Sequence, residues 1–343
     1  MPEKLLGKTP DELAEIAGRF GLPHFAAQQM TDWIYRKKVT SIEDMTNLPA
    51  KTRKELLALY EIGAQPPLNV QVSVDGTKKY LYTAAEDHYV ETAYIPENER
   101  STLCLSSQAG CRMGCLFCMT GKQGFQGNLS TAEILNQWYS LPERQKVTNI
   151  VYMGMGEPLD NLEEVLRSLV AFTSPWGFGM SPRRITVSTI GILPKLHEFL
   201  ERTEAHLAIS LHTPFDEERI KLMPIQKAYP IREVINELKK YKLNRQRRIS
   251  FEYILFRGLN DTPAHVKELA RLLNGLRCRI NLIRFHSIPG VSLESPDEEA
   301  ILRFRDALTG KGIYTTVRAS RGQDIAAACG LLSTRELIKR KPA

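Results

Sequence analysis

The stretch Thr102-Leu103-Cys104-Leu105-Ser106-Ser107-Gln108-Ala109-Gly110-Cys111-Arg112-Met113-Gly114-Cys115-Leu116-Phe117-Cys118 decides how the rest of the 343-residue chain is read. It opens with an apolar, β-rich run, Thr102 to Leu105, and closes on three thiols spaced CxxxCxxC. Further runs of the strand type follow at Asn149 to Met153, Arg184 to Ser188, Leu207 to Leu211, Ile249 to Leu255 and Arg279 to Phe285. Between them lie helical patterns, among them Thr131 to Tyr139, Leu162 to Phe172, Ile231 to Tyr241 and Pro263 to Leu273. Six βα units predict a parallel sheet, closed into a full or partial barrel. A helix at Asp297 to Leu308 and a further strand at Ile313 to Val317 extend the series.

Upstream the texture differs. Thr9 to Phe20, Phe25 to Lys38 and Pro49 to Tyr60 carry helical periodicity. Pro66 and Pro67 end it, and alternating segments at Asn69 to Val74, Lys79 to Thr83 and Tyr89 to Tyr94 predict a small antiparallel sheet. With 43% apolar and 25% charged residues the chain has ordinary globular usage, which excludes global disorder. No apolar run follows a basic start and none approaches the roughly 18 residues that span a bilayer, so a soluble, cytoplasmic protein without membrane contact is expected.

The net charge of +7 is modest, but its placement is uneven. From Lys239 to Arg284 twelve basic residues face only Glu252, Asp261 and Glu268, a local excess of +9, whereas the first 62 residues hold nine of each sign. Such a stretch suits a polyanion such as nucleic acid, or is simply a solvated basic face. Arg245, Arg247 and Arg248 are its densest part, and Trp33 and Tyr35 beside Arg36, Lys37 and Lys38 form a second candidate for RNA contact.

Clustered thiols in a chain without a secretory signal are metal ligands before they are disulfides. A structural zinc ion would need a fourth ligand, available from Cys104 or a histidine. Three cysteines within eight residues suit a 4Fe-4S cluster better, with three irons bound to thiolates and the fourth open. Gly110 and Gly114 let the backbone fold tightly, and Phe117 can shield one face from water. After the next strand comes Tyr152-Met153-Gly154-Met155-Gly156-Glu157-Pro158, whose glycines admit close approach of backbone to a ligand and whose Glu157 can pair with an amine.

These two segments resemble the radical S-adenosylmethionine (SAM) superfamily. The flanking residues resemble, within it, the RlmN-type dual-specificity RNA adenine-C2 methyltransferases: Val90-Glu91-Thr92, Thr102 to Gln108, Thr186-Val187-Ser188-Thr189, Ile209-Ser210-Leu211-His212, Asn281-Leu282-Ile283 and Arg321 to Gly330. The resemblance implies an α/β fold, a partial (β/α)6 TIM-like radical SAM barrel with a small N-terminal helical domain and a short antiparallel sheet extension. It divides the chain into an RNA-contacting accessory domain at 1–64, a linking sheet at 65–96, the core barrel at 97–330 and a C-terminal basic tail at 331–343.

The resemblance also implies the chemistry. Cys111, Cys115 and Cys118 hold the cluster; Gly156, Glu157, Ser188, Ser210, Leu211 and His212 contact SAM, with His286 standing where the family commonly has Asn. Two SAM molecules serve each turnover. Cys329 carries a methyl group to the base, Cys104 resolves the covalent intermediate through a transient disulfide, and Glu91 is a candidate proton acceptor. Independently of the family, adenine C2 is an electron-poor sp² carbon that cannot displace the methyl of SAM, whereas a thiolate can. Implied partners are 23S rRNA, tRNA and an electron donor such as a flavodoxin or ferredoxin, for a monomeric enzyme. A C8-methylating rRNA enzyme of the resistance type shares the cysteines, and a non-catalytic, zinc-stabilised RNA-binding module is the reading from another class. Cys278, between Arg277 and Arg279, is read as structural.

Overall fold

The computed structural model describes residues 2–241 and 247–334 of the chain. Helix α1 (Pro10–Arg19) starts where Thr9 accepts the Glu12 amide and the Glu12 carboxylate accepts the Thr9 N–H, a reciprocal cap written into the sequence. Helix α2 (Phe25–Thr31) does not run on to Lys38 as an α-helix. Asp32–Lys37 forms a π-helical turn that ends on Lys38 in the left-handed region, φ 57°. The wider turn seats Ile34 and Tyr35 in the core. Helix α3 is Ala50–Leu59.

The main sheet has ten strands, arranged in space in the order in which they occur in the chain. Three antiparallel strands, β1 (Asn69–Val72), β2 (Lys78–Thr83) and β3 (Tyr89–Glu97), lead to β4 (Arg100–Cys104), which pairs antiparallel with β3. From β4 onward all pairing is parallel, through β5 (Asn149–Tyr152), β6 (Ile185–Thr189), β7 (His206–Ser210), β8 (Ile249–Leu255), β9 (Cys278–Arg284) and β10 (Tyr314–Val317). The six strands expected from the sequence are all present, and β10 is the further one. Strand β10 pairs only with β9, so the barrel is open on that side. The antiparallel strands are continuous with the barrel sheet and are no separate layer.

Helices follow the strands: α4 (Met119–Gln123), α5 (Thr131–Tyr139), α6 (Leu162–Thr173), α7 (Leu193–Arg202), α8 (Asp216–Leu222), α9 (Ile231–Lys240), α10 (Pro263–Leu273) and α11 (Glu298–Gly310). Ser130 and Glu133 form a second reciprocal cap at the start of α5, and Asp297 accepts from the Ala300 amide at the start of α11. Strand β8 is buried along its whole length, as expected of a strand covered on both faces. The N-terminal helices dock on the barrel: the Tyr139 hydroxyl donates to Val39 O at 2.8 Å, and Tyr35 meets Trp176 and Phe178 edge to face. Among the described residues no helix is long and apolar enough to cross a membrane.

Candidate active site

Residues 111–118 form a tight loop after the short strand Gln108–Gly110. Its shape depends on Gly110, φ 73°, where a Cβ would fall 1.7 Å from the Gly124 carbonyl oxygen, the acceptor of the Cys111 N–H. The Leu116 amide donates to Leu222 O at the end of α8. Phe117 is buried, edge to face on His212 with ring centroids 4.8 Å apart. The three thiols lie within electrostatic reach of one another. Burial first, then the neighbouring thiols, pushes Cys115 well above its usual range, and burial pushes Cys111 up to about 12. Thiols so disfavoured as free anions gain most from a bound cation or cluster. Among the described residues no three His, Cys, Asp or Glu side chains converge as a single-ion site. A 4Fe-4S cluster takes each thiolate on a different iron, so its ligands stand wider apart than those around one ion. The residues therefore fit the cluster.

A cavity of about 510 Å³ occupies the bore of the barrel, and Cys104, Cys118, Met153, His286 and Cys329 are in its wall. Cys104 is the last residue of β4, paired with Ala93 on β3 and Val151 on β5. With these and Ala327 it forms a small buried cluster. Cys329 is exposed at the wall of the cavity. Its loop is shaped by Gly322, whose N–H donates to Asp75, and by Ala326 in the left-handed region, φ 52°. It is tied to the cysteine loop by Met119 N–H to Gly330 O, 2.8 Å. Burial raises both lone thiols, Cys104 to about 12, and Arg318 opposes the rise at each.

The remaining expected residues divide. Gly156 has φ 99°, and a Cβ there would lie 2.6 Å from Gln108 Cβ, so the glycine is sterically required. The Glu157 carboxylate is buried; it accepts from Thr189 Oγ1 and from the amides of Leu159 and Ile190, and burial lifts its pKa to about 7. His212, also at a left-handed φ of 58°, accepts the Ile254 N–H on Nδ1, which places its proton on Nε2, and burial first, then Arg219, lowers its pKa to about 3. It is neutral at pH 7. Ser188, Ser210 and Leu211 belong to β6, to the end of β7 and to the residue after it, at the C-terminal ends of neighbouring strands.

At Glu91 one carboxylate oxygen is 3.0 Å from Lys79 Nζ and the other accepts the Ser333 N–H at 2.9 Å, so it ties β3 to the 331–334 segment, on the same face of β3 as Ala93, which packs on Cys104. The Tyr35 hydroxyl is engaged with Lys8 O and the Gly7 N–H inside the core, so it offers no face to RNA.

Comparison with known proteins bears on these observations directly. Residues 105–273 match the radical SAM superfamily, and residues 3–62 match the ribosomal RNA large subunit methyltransferase N-terminal domain. A probable dual-specificity RNA methyltransferase RlmN of Bacteroides thetaiotaomicron is 58% identical over 330 residues, 96% of each chain. The chain belongs to the RlmN family of radical SAM dual-specificity RNA methyltransferases. The RlmN of Nautilia profundicola is 39% identical, over 96% of this chain and 97% of that one. The crystal structure of a radical SAM methyltransferase from Sphaerobacter thermophilus superposes with a TM-score of 0.91 at 38% identity, covering 96% of this chain and 99% of that one. Membership implies SAM and an iron-sulfur cluster, and ribosomal RNA as substrate.

For an RlmN-family enzyme the basic stretch is more selective than its sequence suggests. Arg257, Arg271 and Arg284 pair with Glu294, Glu268 and Glu298, Lys240 pairs with Glu237, and Lys239 donates to Leu272 O. Arg247 is tucked over Phe199 and donates to Leu200 O. Lys242 and Arg245 lie outside the described residues, as does the tail from residue 335 onward. Arg248 and Arg279 instead join Arg100, Arg183 and His206 at the N-terminal ends of the strands, around the mouth of the bore opposite the cysteine loop. Burial first, then Arg248, Arg279, Arg247 and Arg183, lower His206 to about 4. Sequence reading did not find this ring, whose members come from five separate strands or their approaches. Nor did it find Glu252 and Arg318, which meet inside the bore with Arg318 Nη1 3.5 Å from Glu252 Oε2.

Proposed function

We propose that the enzyme methylates C2 of adenine in 23S rRNA and in tRNA, with Cys329 carrying the methyl group and Cys104 resolving the adduct. The observation that carries this reading is the meeting of Cys104 and Cys329 in one cavity with Cys118, the last thiol of the cysteine loop. Cys111, Cys115 and Cys118 would hold the cluster, and Gly156, Glu157, Ser188, Ser210, Leu211, His212 and His286 would contact SAM. When bound, these groups supply a methyl cation from one SAM and a hydrogen-abstracting radical from a second.

The chain's own residues do the rest. Arg318 favours the thiolate of Cys329, which takes the methyl group. The small side chains of Ala326, Ala327 and Ala328 leave room for a base beside it. Once the resulting methylene has bonded to C2, the adduct gives up its unpaired electron, which the oxidised cluster would take back, and its C2 proton, for which Glu91 and Cys104 are the candidate acceptors. Attack of Cys104 sulfur on Cys329 Sγ then breaks the bond from Cys329 Sγ to the transferred carbon. That carbon keeps the electron pair, takes up the proton and becomes methyl, and a Cys104–Cys329 disulfide remains. The arginine mouth attracts the phosphate backbone while one base enters the bore. We assign a flavodoxin or ferredoxin as electron donor, a monomeric state, a cytoplasmic location and a division at residues 64 and 96 to the same reading.

Paired variants expressed in cells test it. Cys329→Ala retains the cluster and transfers no methyl to RNA, whereas Cys104→Ala accumulates an RNA–protein adduct, visible on denaturing gels as a slow, nuclease-sensitive band. No band in Cys104→Ala together with normally methylated RNA refutes the roles. Digestion of the RNA and mass spectrometry separates 2-methyladenosine from the 8-methyl product of the resistance-type relatives.

A further inference from the structure

Glu252 presents an unusual atom to the bore. The residue is 3% exposed, and its Oε1 accepts from Asn281 Nδ2 at 2.7 Å and lies 3.3 Å from Ser250 Oγ. Asn281 is itself fixed, since its Oδ1 accepts from Thr316 Oγ1 at 2.8 Å. Oε2, by contrast, is buried with no hydrogen-bond partner among the described residues. Arg318 Nη1 is 3.5 Å from it, close enough for ionic attraction and too far for a good hydrogen bond. A buried carboxylate oxygen left in this state has lost its water without gaining a donor, so a donor that fills the bore is the natural complement.

Arg318 continues the line. Its Nη1 also reaches Met153 Sδ at 3.2 Å, and Met153 packs on the cluster that contains Cys104. Along the wall of one cavity the order is therefore Glu252, Arg318 and then the two thiols. The edge of adenine that carries the 6-amino group has the matching order: an N–H donor at C6, an acceptor at N1, and then C2. We propose that Glu252 Oε2 accepts from the 6-amino group of the target adenine and that Arg318 donates to N1, which sets C2 against the thiols. This rests on the adenine-C2 reading above and adds to it the two groups that choose the base. Guanine would meet Glu252 with a carbonyl oxygen and Arg318 with an N–H, and so would be rejected at both contacts. Pyrimidines would leave a gap.

The geometry makes the isosteric variant informative. In Glu252→Gln the side-chain oxygen stays on the Asn281 donor, so the amide NH2 takes the place of Oε2 and opposes the adenine amine. The test uses reconstituted holoenzyme and a short RNA whose methylated adenosine has been located by mass spectrometry, compared with the same RNA bearing purine riboside, which lacks the 6-amino group. The wild type should prefer adenosine by about 100-fold or more in kcat/KM, and Glu252→Gln should bring the ratio to within about threefold. Formation of S-methyl-Cys329, read by intact mass without RNA, should still occur in the variant, whatever its rate, so that a changed ratio reports the base contact and not loss of the methyl carrier. If Glu252→Gln keeps the full preference, or loses both RNAs equally, the assignment is overturned. Should Glu252→Gln fail to fold, Glu252→Asp withdraws the carboxylate by one methylene and must lower the same ratio at least tenfold; an unchanged ratio overturns the assignment. A wild-type enzyme that forms no S-methyl-Cys329 at all would instead sink the methyl-carrier reading and leave the base contact to be judged by the affinity ratio of the two RNAs.

Discussion

Replacing Gly110 and Gly114 separately by alanine separates backbone strain from steric conflict in the cysteine loop. Both glycines sit at positive φ, 73° and 65°. A Cβ at Gly114 would meet no atom within 4 Å, whereas at Gly110 it would lie 1.7 Å from Gly124 O and 2.9 Å from Gly124 C. Gly114→Ala should therefore cost only the left-handed penalty, about 1–2 kcal/mol. In Gly110→Ala the Gly124 carbonyl must also move and release the Cys111 N–H, adding about 1–3 kcal/mol for the stranded donor and about 1–3 kcal/mol for overpacking. At about 2 °C per kcal/mol for a chain of this size, Gly114→Ala should melt about 2–4 °C below wild type and Gly110→Ala about 6–16 °C below. The assay is anaerobic thermal unfolding by circular dichroism, with iron and sulfide content measured in parallel. Gly110→Ala should lose cluster and Gly114→Ala should keep it. Equal melting points with full iron in both would show that the loop is not held where the Gly124 contact places it.

Three further outcomes are expected. Alanine at Cys111, Cys115 or Cys118 should abolish iron, sulfide and visible absorbance together, since no neighbouring thiol can replace the lost one; retention of full iron in any of them contradicts the ligand set. Because His206 is held down to about 4, it contributes stability that is complete above its unfolded pKa near 6.5 and is lost as pH falls towards 4. Once screening by water in the bore is allowed for, the loss is about 1–2 kcal/mol, and urea titrations of His206→Gln should show a flatter profile over that window. Arg248→Ala and Arg279→Ala should each reduce the salt slope of RNA binding by about one, while Arg271→Ala, already paired with Glu268, should not; equal slopes in all three would remove the mouth of the bore from the RNA interface.

What was legible in the chain was whatever is encoded locally. The Thr9–Glu12 cap, the strand at Ile249 to Leu255 and the CxxxCxxC spacing each lie within a dozen residues, and the structure keeps all three. The π-helical turn at Asp32–Lys37 was hidden because its periodicity differs from an α-helix by little over so short a span. The cover over Glu91 was hidden for a different reason: its partner Ser333 stands 242 residues away, and a strand glutamate gives no local sign of the segment that meets it. Glu252 and Arg318 look like ordinary members of a strand and of a loop, and only parallel pairing of β8, β9 and β10 brings them together. Charge density along the chain overstated the basic stretch, since half of its twelve cations found carboxylates or carbonyls, most of them outside the acids that the linear count set against them.

The ties between the cysteine loop and the segment after Gly330 reach beyond catalysis. Thr120 Oγ1 donates to Leu332 O and Gln123 Oε1 accepts from the Thr334 amide, so the wall around Cys329 is built partly from the first barrel unit. Cys104 precedes Cys329 by 225 residues. At about 5–20 residues per second, a ribosome needs roughly 10–45 s to bring the second thiol out after the first. Through that interval Cys104 and the cysteine loop are already made while Cys329 is still to come. Under the function proposed above, the three loop thiols are therefore open to iron before the Cys104–Cys329 pair exists to be oxidised.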